Sequence, residues 1–221
     1  MCFFIFFCLF MPAMINTADG YARLVEPPNR SSLWRENFPF SRFNLNDTNL
    51  NCGGEQVPYI RGLTEWCGAC GDPLYGGQSH LFGGNYVRRY TVTRQYKKGA
   101  QYIDVRVDTD FQGGLFEFRI CPHEYSSFPV TKDCFDAGLL EIKGFGYRYY
   151  VMAAGYHDLE LVIPTYFSCN HCVLQWRYLT ANYSKDCQSL PLRRMCVLPE
   201  EYYNCADIAI EDGAGSISID K

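Results

Sequence analysis

At 221 residues the chain is long enough for one domain with a substantial core. Its net charge is −4 and no basic run occurs in it, which excludes nucleic acid as the main partner, because phosphate binding needs a basic stripe. Aromatic residues are abundant at 16%, led by Tyr and Phe, and this leaves neutral extended polymers open, since those are gripped by flat rings and hydrogen bonds.

Residues 2–14, CFFIFFCLFMPAM, form an apolar run too short to span a bilayer. The run fits the hydrophobic part of a signal peptide, so residues 1–20 are expected to be removed and the protein to be secreted, with no membrane association afterwards. Ala18 and Gly20 take the −3 and −1 positions for cleavage before Tyr21, and cleavage after Ala18 is the competitor. Cys2 and Cys8 leave with the leader. The other cysteines, Cys52, Cys67, Cys70, Cys121, Cys134, Cys169, Cys172, Cys187, Cys196 and Cys205, are even in number and imply disulfides of open connectivity. Sequons at Asn29, Asn46 and Asn182 mark glycosylation acceptors in keeping with that route.

Along the chain, Tyr21 to Leu24 starts as a strand that Pro27 and Pro28 stop. Ser31 to Asn37 predicts one helical turn capped by Ser32. Residues 38–64 read as an ordered excursion partly held by Cys52. Cys67 to Cys70 reads as a tight turn, residues 76–84 as a Gly-rich loop, and residues 86–96 contain a strand. The clearest signal follows. Ile103, Val105 and Val107 alternate with Asp104, Arg106 and Asp108, and Phe116, Phe118 and Ile120 alternate with Glu117 and Arg119. That pattern predicts two strands, each with one buried face, around Gly113-Gly114. The loop between them, Thr109 to Gly114, is where a binding or catalytic group belongs. Residues 122–138 read as a loop that Cys121 and Cys134 pair or pin. Leu159 to Ile163, Val173 to Leu179 and Ala206 to Ile210 are further strands, and residues 211–221 a frayed polar tail. The sum is an all-β sandwich with long disulfide-braced loops, one domain over residues 21–210.

These landmarks resemble a known family. Tyr21-Ala22-Arg23-Leu24, Pro27-Pro28 and Arg30-Ser31-Ser32-Leu33-Trp34-Arg35 are similar to the mature start of insect-type lytic polysaccharide monooxygenases, which carry the chitin-binding type-4 domain. The likeness continues through Asn51 to Gly54, Cys67 to Asp72, Gly83 to Tyr86, Gly114 to Pro122, Cys134 to Asp136, Cys169 to Trp176 and Cys205 to Ile208. The resemblance implies an immunoglobulin- or fibronectin-III-like sandwich, secretion, and polysaccharide such as chitin or cellulose as partner. It also implies one copper held by the amino group and ring of an N-terminal His and by a second His on the central loop, with an axial Tyr or Phe near the C-terminal Cys-Ala-Asp motif. Such nitrogen donors suit copper.

The chain departs from that pattern at the site. Tyr21 stands at the N-terminal His position and Gln112 at the second. Tyr202 keeps the axial position in kind, and Glu200 matches a position beside it. Bulky Phe111 precedes Gln112, and Asp110 stands where the family prefers a small residue. No copper or other cofactor is therefore expected, and no residue is assigned a catalytic role.

Four histidines remain. His123 is expected at the far end of its strand, His171 in a tight turn, His157 in an ordinary turn, and His80 in a loop of unknown position. The two Cys-x-x-Cys pairs read as disulfide-forming rather than as a zinc site, because their separation is far beyond ribbon spacing. Glu200 and Glu201 read as a solvated acid pair, and no local spacing suggests a glycosidase. Tyr21, Phe111 and Tyr202 are expected to form either a sugar-binding patch or a plug filling the vacated site. The functional expectation is a non-catalytic polysaccharide-binding protein. The alternatives are an active copper monooxygenase with a rewired site and an extracellular protein-recognition module.

Overall fold

The computed structural model describes residues 21–54, 67–124, 127–180 and 198–212. The expected leader, Asn182, Cys187, Cys196 and nearly all of the expected tail lie outside the described residues.

In chain order the strands are β1 (Ala22–Glu26), β2 (Asn51–Gly54), β3 (Arg94–Lys97), β4 (Tyr102–Thr109), β5 (Leu115–Pro122), β6 (Glu141–Ile142), β7 (Tyr149–Tyr150), β8 (Gly155–Val162), β9 (Cys169–Leu179) and β10 (Leu198–Glu211). One sheet has four strands in the order β1-β4-β8-β6. The other has six, in the order β2-β10-β9-β5-β7, with β3 added parallel to β10. The two alternating stretches become β4 and β5, one in each sheet. Ile103, Val105 and Val107 of the first layer therefore bury against Phe116, Phe118, Ile120, Leu174, Trp176 and Ile208 of the second. This is the all-β sandwich the period-two pattern predicts.

Several elements differ from expectation. The turn after β1 is a 3-10 helix, Leu33–Glu36; Ser32 sits at its cap but makes no side-chain cap bond. The loop after β5 contains a short helix, α1 (Lys132–Asp136), whose Thr131 side chain accepts from Cys134 N. Cys169 to Cys172 lies within β9 rather than in a turn, so His171 is a strand residue and wholly buried. His157 is likewise a buried residue of β8, not a turn residue.

Disulfides join Cys52 to Cys67, Cys70 to Cys205, Cys121 to Cys134 and Cys169 to Cys172. Cys67 and Cys70 thus part company. The first is tied to Cys52 of β2, and the second ties the tight turn to the centre of β10.

The sequon at Asn29 is corrected by its surroundings. Asn29 is fully buried, donates from Nδ2 to Leu24 O at 2.6 Å and accepts from Ser31 N at 2.9 Å, so the folded domain leaves no room for a glycan there. Asn46 is exposed and remains open to one.

The loop that follows β1 is anchored through a buried charge. Arg30 donates to both carboxylate oxygens of Asp207, at 2.8 and 2.6 Å, and His171 Nε2 lies 2.7 Å from Asp207 Oδ1. Arg30 Nη1 also donates to His80 O at 2.9 Å. Burial pushes the Asp207 carboxyl up, but the Arg30 charge and the hydrogen bonds from Arg30 and His171 outweigh it and hold the group down at about 2.

A carboxyl held below its ordinary value stabilises the fold above that value and ceases to as pH falls towards the folded one. Acid titration followed by circular dichroism should therefore show stability lost between pH 3.8 and about 2 that Asp207→Asn does not show. The same variant at neutral pH should lose about 3–5 kcal/mol in urea unfolding, because it leaves the buried Arg30 charge without its counter-ion.

Candidate functional site

The Thr109–Gly114 loop is fixed by the start of the domain. β1 and β4 pair with Ala22 opposite Thr109, and the contact runs one residue further. Tyr21 N donates to Asp110 Oδ1 at 2.7 Å, and Asp110 N donates back to Tyr21 O at 3.1 Å. Thr109 Oγ1 donates to the same carbonyl at 3.3 Å and accepts from Phe111 N at 3.1 Å. The loop then turns through Gly113 and Gly114, at φ of 88° and 81°. Only glycine adopts such values without strain. A Cβ on Gly114 would also collide with the Leu179 carbonyl oxygen. Gly113 N donates to Val151 O at 2.8 Å and Val151 N to Gly114 O at 3.1 Å, which sets the β7–β8 connection beside the loop. Beneath it, Tyr178 OH donates to Gly113 O at 2.6 Å. Burial pushes that hydroxyl up to about 12, so it stays protonated and keeps donating.

The aromatic trio does not assemble as one patch. Phe111 is half-buried and packs on Tyr202 and Tyr178, with ring centroids 5.4 and 6.1 Å away. Tyr202 is only 2% exposed, and burial pushes its hydroxyl well up. Neither its ring face nor most of its edge can meet a sugar, so Phe111 and Tyr202 form a plug and Tyr202 is corrected as a substrate-binding residue. Tyr21 points the other way. Ala22 is buried, so by strand alternation Tyr21 and Arg23 face outward. There Asp108, with Asp110 and Tyr156 contributing, pushes the Tyr21 hydroxyl up. Gln112 is exposed at the loop tip. Glu200 is half-buried at the start of β10, and its carbonyl accepts from Thr180 Oγ1 at 3.1 Å. Glu201 is no solvated acid: it is buried, and it accepts from Arg177 Nη2 at 2.8 Å and Tyr203 OH at 2.7 Å.

The donors here fit copper poorly. Backbone nitrogen, carboxylate and neutral amide surround the loop, and no imidazole joins them. Each histidine is committed elsewhere. His157 lies 3.1 Å from Tyr149 OH and 3.0 Å from Ala153 O through its two ring nitrogens. His80 Nδ1 lies 2.9 Å from Asp72 Oδ1, in the neighbourhood of Arg30. His123 Nε2 lies 2.8 Å from Tyr90 OH, and its ring sits 5.7 Å from that of His171, which Asp207 holds. Asp207 follows Tyr202 by five strand residues, about 16 Å at the usual rise, so this cluster belongs to the other end of the sandwich. Among the described residues no group of three or more His, Cys, Asp or Glu side chains is placed to hold a metal ion.

Residues missing from the sequence reading complete the outer surface. Tyr150, Met152 and Tyr156 are exposed at 62, 75 and 65%. The Gly113–Val151 pairing brings the first two beside Gln112, and the register of Tyr156 opposite Asp108 brings the third beside Tyr21. No local pattern marks them, because long-range strand register places them there. Large exposed rings around a polar tip can stack on a ligand face and donate or accept hydrogen bonds at its edge.

The sequence matches the family described as lytic polysaccharide mono-oxygenase, cellulose-degrading, over residues 22–208. Among solved structures it is similar to the AA15 lytic polysaccharide monooxygenase of Thermobia domestica in its Cu(I) state, with 35% identity and a TM-score of 0.74, covering 86% of this chain and 99% of that one. A chitin-binding domain from Burkholderia pseudomallei (13% identity, TM-score 0.52) and the catalytic domain of a Listeria monocytogenes lytic polysaccharide monooxygenase (10% identity, TM-score 0.51) share the fold over the same fractions, 86% and 99%. No curated protein matches the sequence.

Gly114→Ala combines left-handed strain with the clash against Leu179 and should cost about 2–4 kcal/mol in chemical unfolding. Tyr178→Phe, which removes one hydrogen bond from the same loop, should cost about 1 kcal/mol.

Proposed function

Because the chain belongs to the lytic polysaccharide monooxygenase family, we propose that it is a secreted member that binds a polysaccharide such as chitin or cellulose and does not oxidise it. One observation carries this reading. At the two positions where the resemblance calls for imidazoles stand Tyr21 and Gln112, and the histidines the chain does have are held in other networks. Copper bound by an amine and a brace of imidazoles is strongly held; a neutral amide oxygen is a weak substitute. The scaffold that carries the site is otherwise intact, so what it still offers is a surface.

On that surface Tyr21, Tyr150, Met152 and Tyr156 provide apolar area, and Gln112 and Asp110 provide hydrogen-bonding groups. Tyrosine rings stack on the C–H faces of pyranose units at small entropy cost, while an amide reads sugar hydroxyls. The neighbours lend support for the polymer class: a chitin-binding domain and polysaccharide monooxygenases share this sandwich.

Calorimetry of the secreted, N-terminally sequenced protein should show no Cu(II) binding in the nanomolar range, and incubation with reductant and chitin or cellulose should release no oxidised oligosaccharides. Nanomolar copper together with oxidised products would establish a rewired monooxygenase instead.

Sedimentation with insoluble chitin or cellulose should retain the protein, and Tyr156→Ala or Tyr21→Ala should weaken retention by about threefold to tenfold, the loss of one stacked ring. Absence of retention on either polymer would shift the reading to extracellular protein recognition.

A further inference from the structure

We infer that Asp110 takes the place of the metal at this end of the sandwich, by capturing the α-amino group that cleavage before Tyr21 would release. The inference rests on the non-catalytic reading above and adds to it a residue and a mechanism.

The geometry is already assembled. The nitrogen of Tyr21 lies 2.7 Å from Asp110 Oδ1. Neither partner has to search for the other. The carbonyl of Tyr21 is held by Asp110 N at 3.1 Å and Thr109 Oγ1 at 3.3 Å, and the next residue is held through Ala22 N donating to Thr48 O at 3.0 Å. On the other side, Phe111 N donates to Thr109 Oγ1, and Gly113 is bonded to Val151. Tyr21 and Asp110 therefore face each other within a set of contacts made by the main chain and the Thr109 hydroxyl. In a chain beginning at Tyr21 the nitrogen is an ammonium rather than an amide, and the same contact becomes a charge-assisted hydrogen bond of opposite charges. An exposed ion pair is weak when both partners are mobile. Here the backbone orders them beforehand, which removes most of that cost.

The consequence is chemical. An amine ligates a metal through its lone pair, and an ammonium held against a carboxylate has none to offer. Two independent changes thus separate this site from a copper centre: the imidazoles are replaced, and the one nitrogen donor that remains is occupied by an acid of the chain itself. Restoring the imidazoles alone should not restore tight binding.

Two experiments test this on protein verified to start at Tyr21. In the first, a limiting acylating reagent is applied at neutral pH and modification is read by peptide mass. Tyr21 of Asp110→Asn should acylate at least fivefold faster than in wild type, with the surface lysines unchanged; equal rates overturn the inference. In the second, Cu(II) affinity is compared between Tyr21→His/Gln112→His and the same pair with Asp110→Ala. The triple variant should bind at least tenfold tighter, and equal affinity again overturns the inference. Sequencing that places the natural N-terminus elsewhere overturns it too. Tight copper binding by the wild-type protein instead sinks the non-catalytic reading, so the two failures are told apart.

Discussion

The Asp207 carboxylate is the interaction on which the rest of the architecture depends. A charge with no access to water is tolerated only when every lone pair is met. Arg30 meets it from the long loop after β1, His171 from β9, and the backbone of Asp207 itself accepts from Thr93 ahead of β3. The acid therefore gathers three segments far apart in sequence. The Cys70–Cys205 bridge, two residues along β10, adds the tight turn to the same place. Once this end is fixed, the segment between β1 and β2 can return to the other end and hold Ala22, next to Tyr21, through Thr48 O, and that is how a polar region without periodicity becomes ordered.

The fold was legible wherever one face of a strand is apolar and the other carries charged side chains. β4 and β5 alternate because one side packs on the partner sheet, and the pattern names the buried residues directly. β9 and β10 lie inside their sheet and are covered on much of both faces, so their alternation fades and their ends extend well beyond the recognisable stretches. Helix α1 escaped because five residues show no helical period; Thr131 followed by Asp133 is the one signal it carried. The Cys-x-x-Cys at 169–172 looks like a turn motif by spacing alone, and strand pairing to β10 and β5 overrides that.

The site was legible in its composition and not in its geometry. Tyr21, Gln112 and Tyr202 can be found by comparing motifs, but which way each points depends on strand parity. Ala22 is buried, so Tyr21 must turn outward, whereas Tyr202 turns in and Phe111 settles on it. The partners of Tyr21 on the outer surface come from β4 and β8, more than eighty residues away. The commitment of the histidines was hidden for the same reason. Two of them are bonded to residues that only long-range pairing brings near, His171 to Asp207 and His123 to Tyr90.

The brevity of the outermost strands has a colloidal consequence. β6 and β7, which close one side of each sheet, are two residues long. At the opposite side of the smaller sheet, donors of β1 are already taken by Thr48 O and by Asn204 Oδ1. Among the described residues, these three edges leave little unsatisfied main chain for another molecule to zip onto. Edges so short and so occupied oppose the side-by-side pairing by which open-edged sheets grow into fibrils.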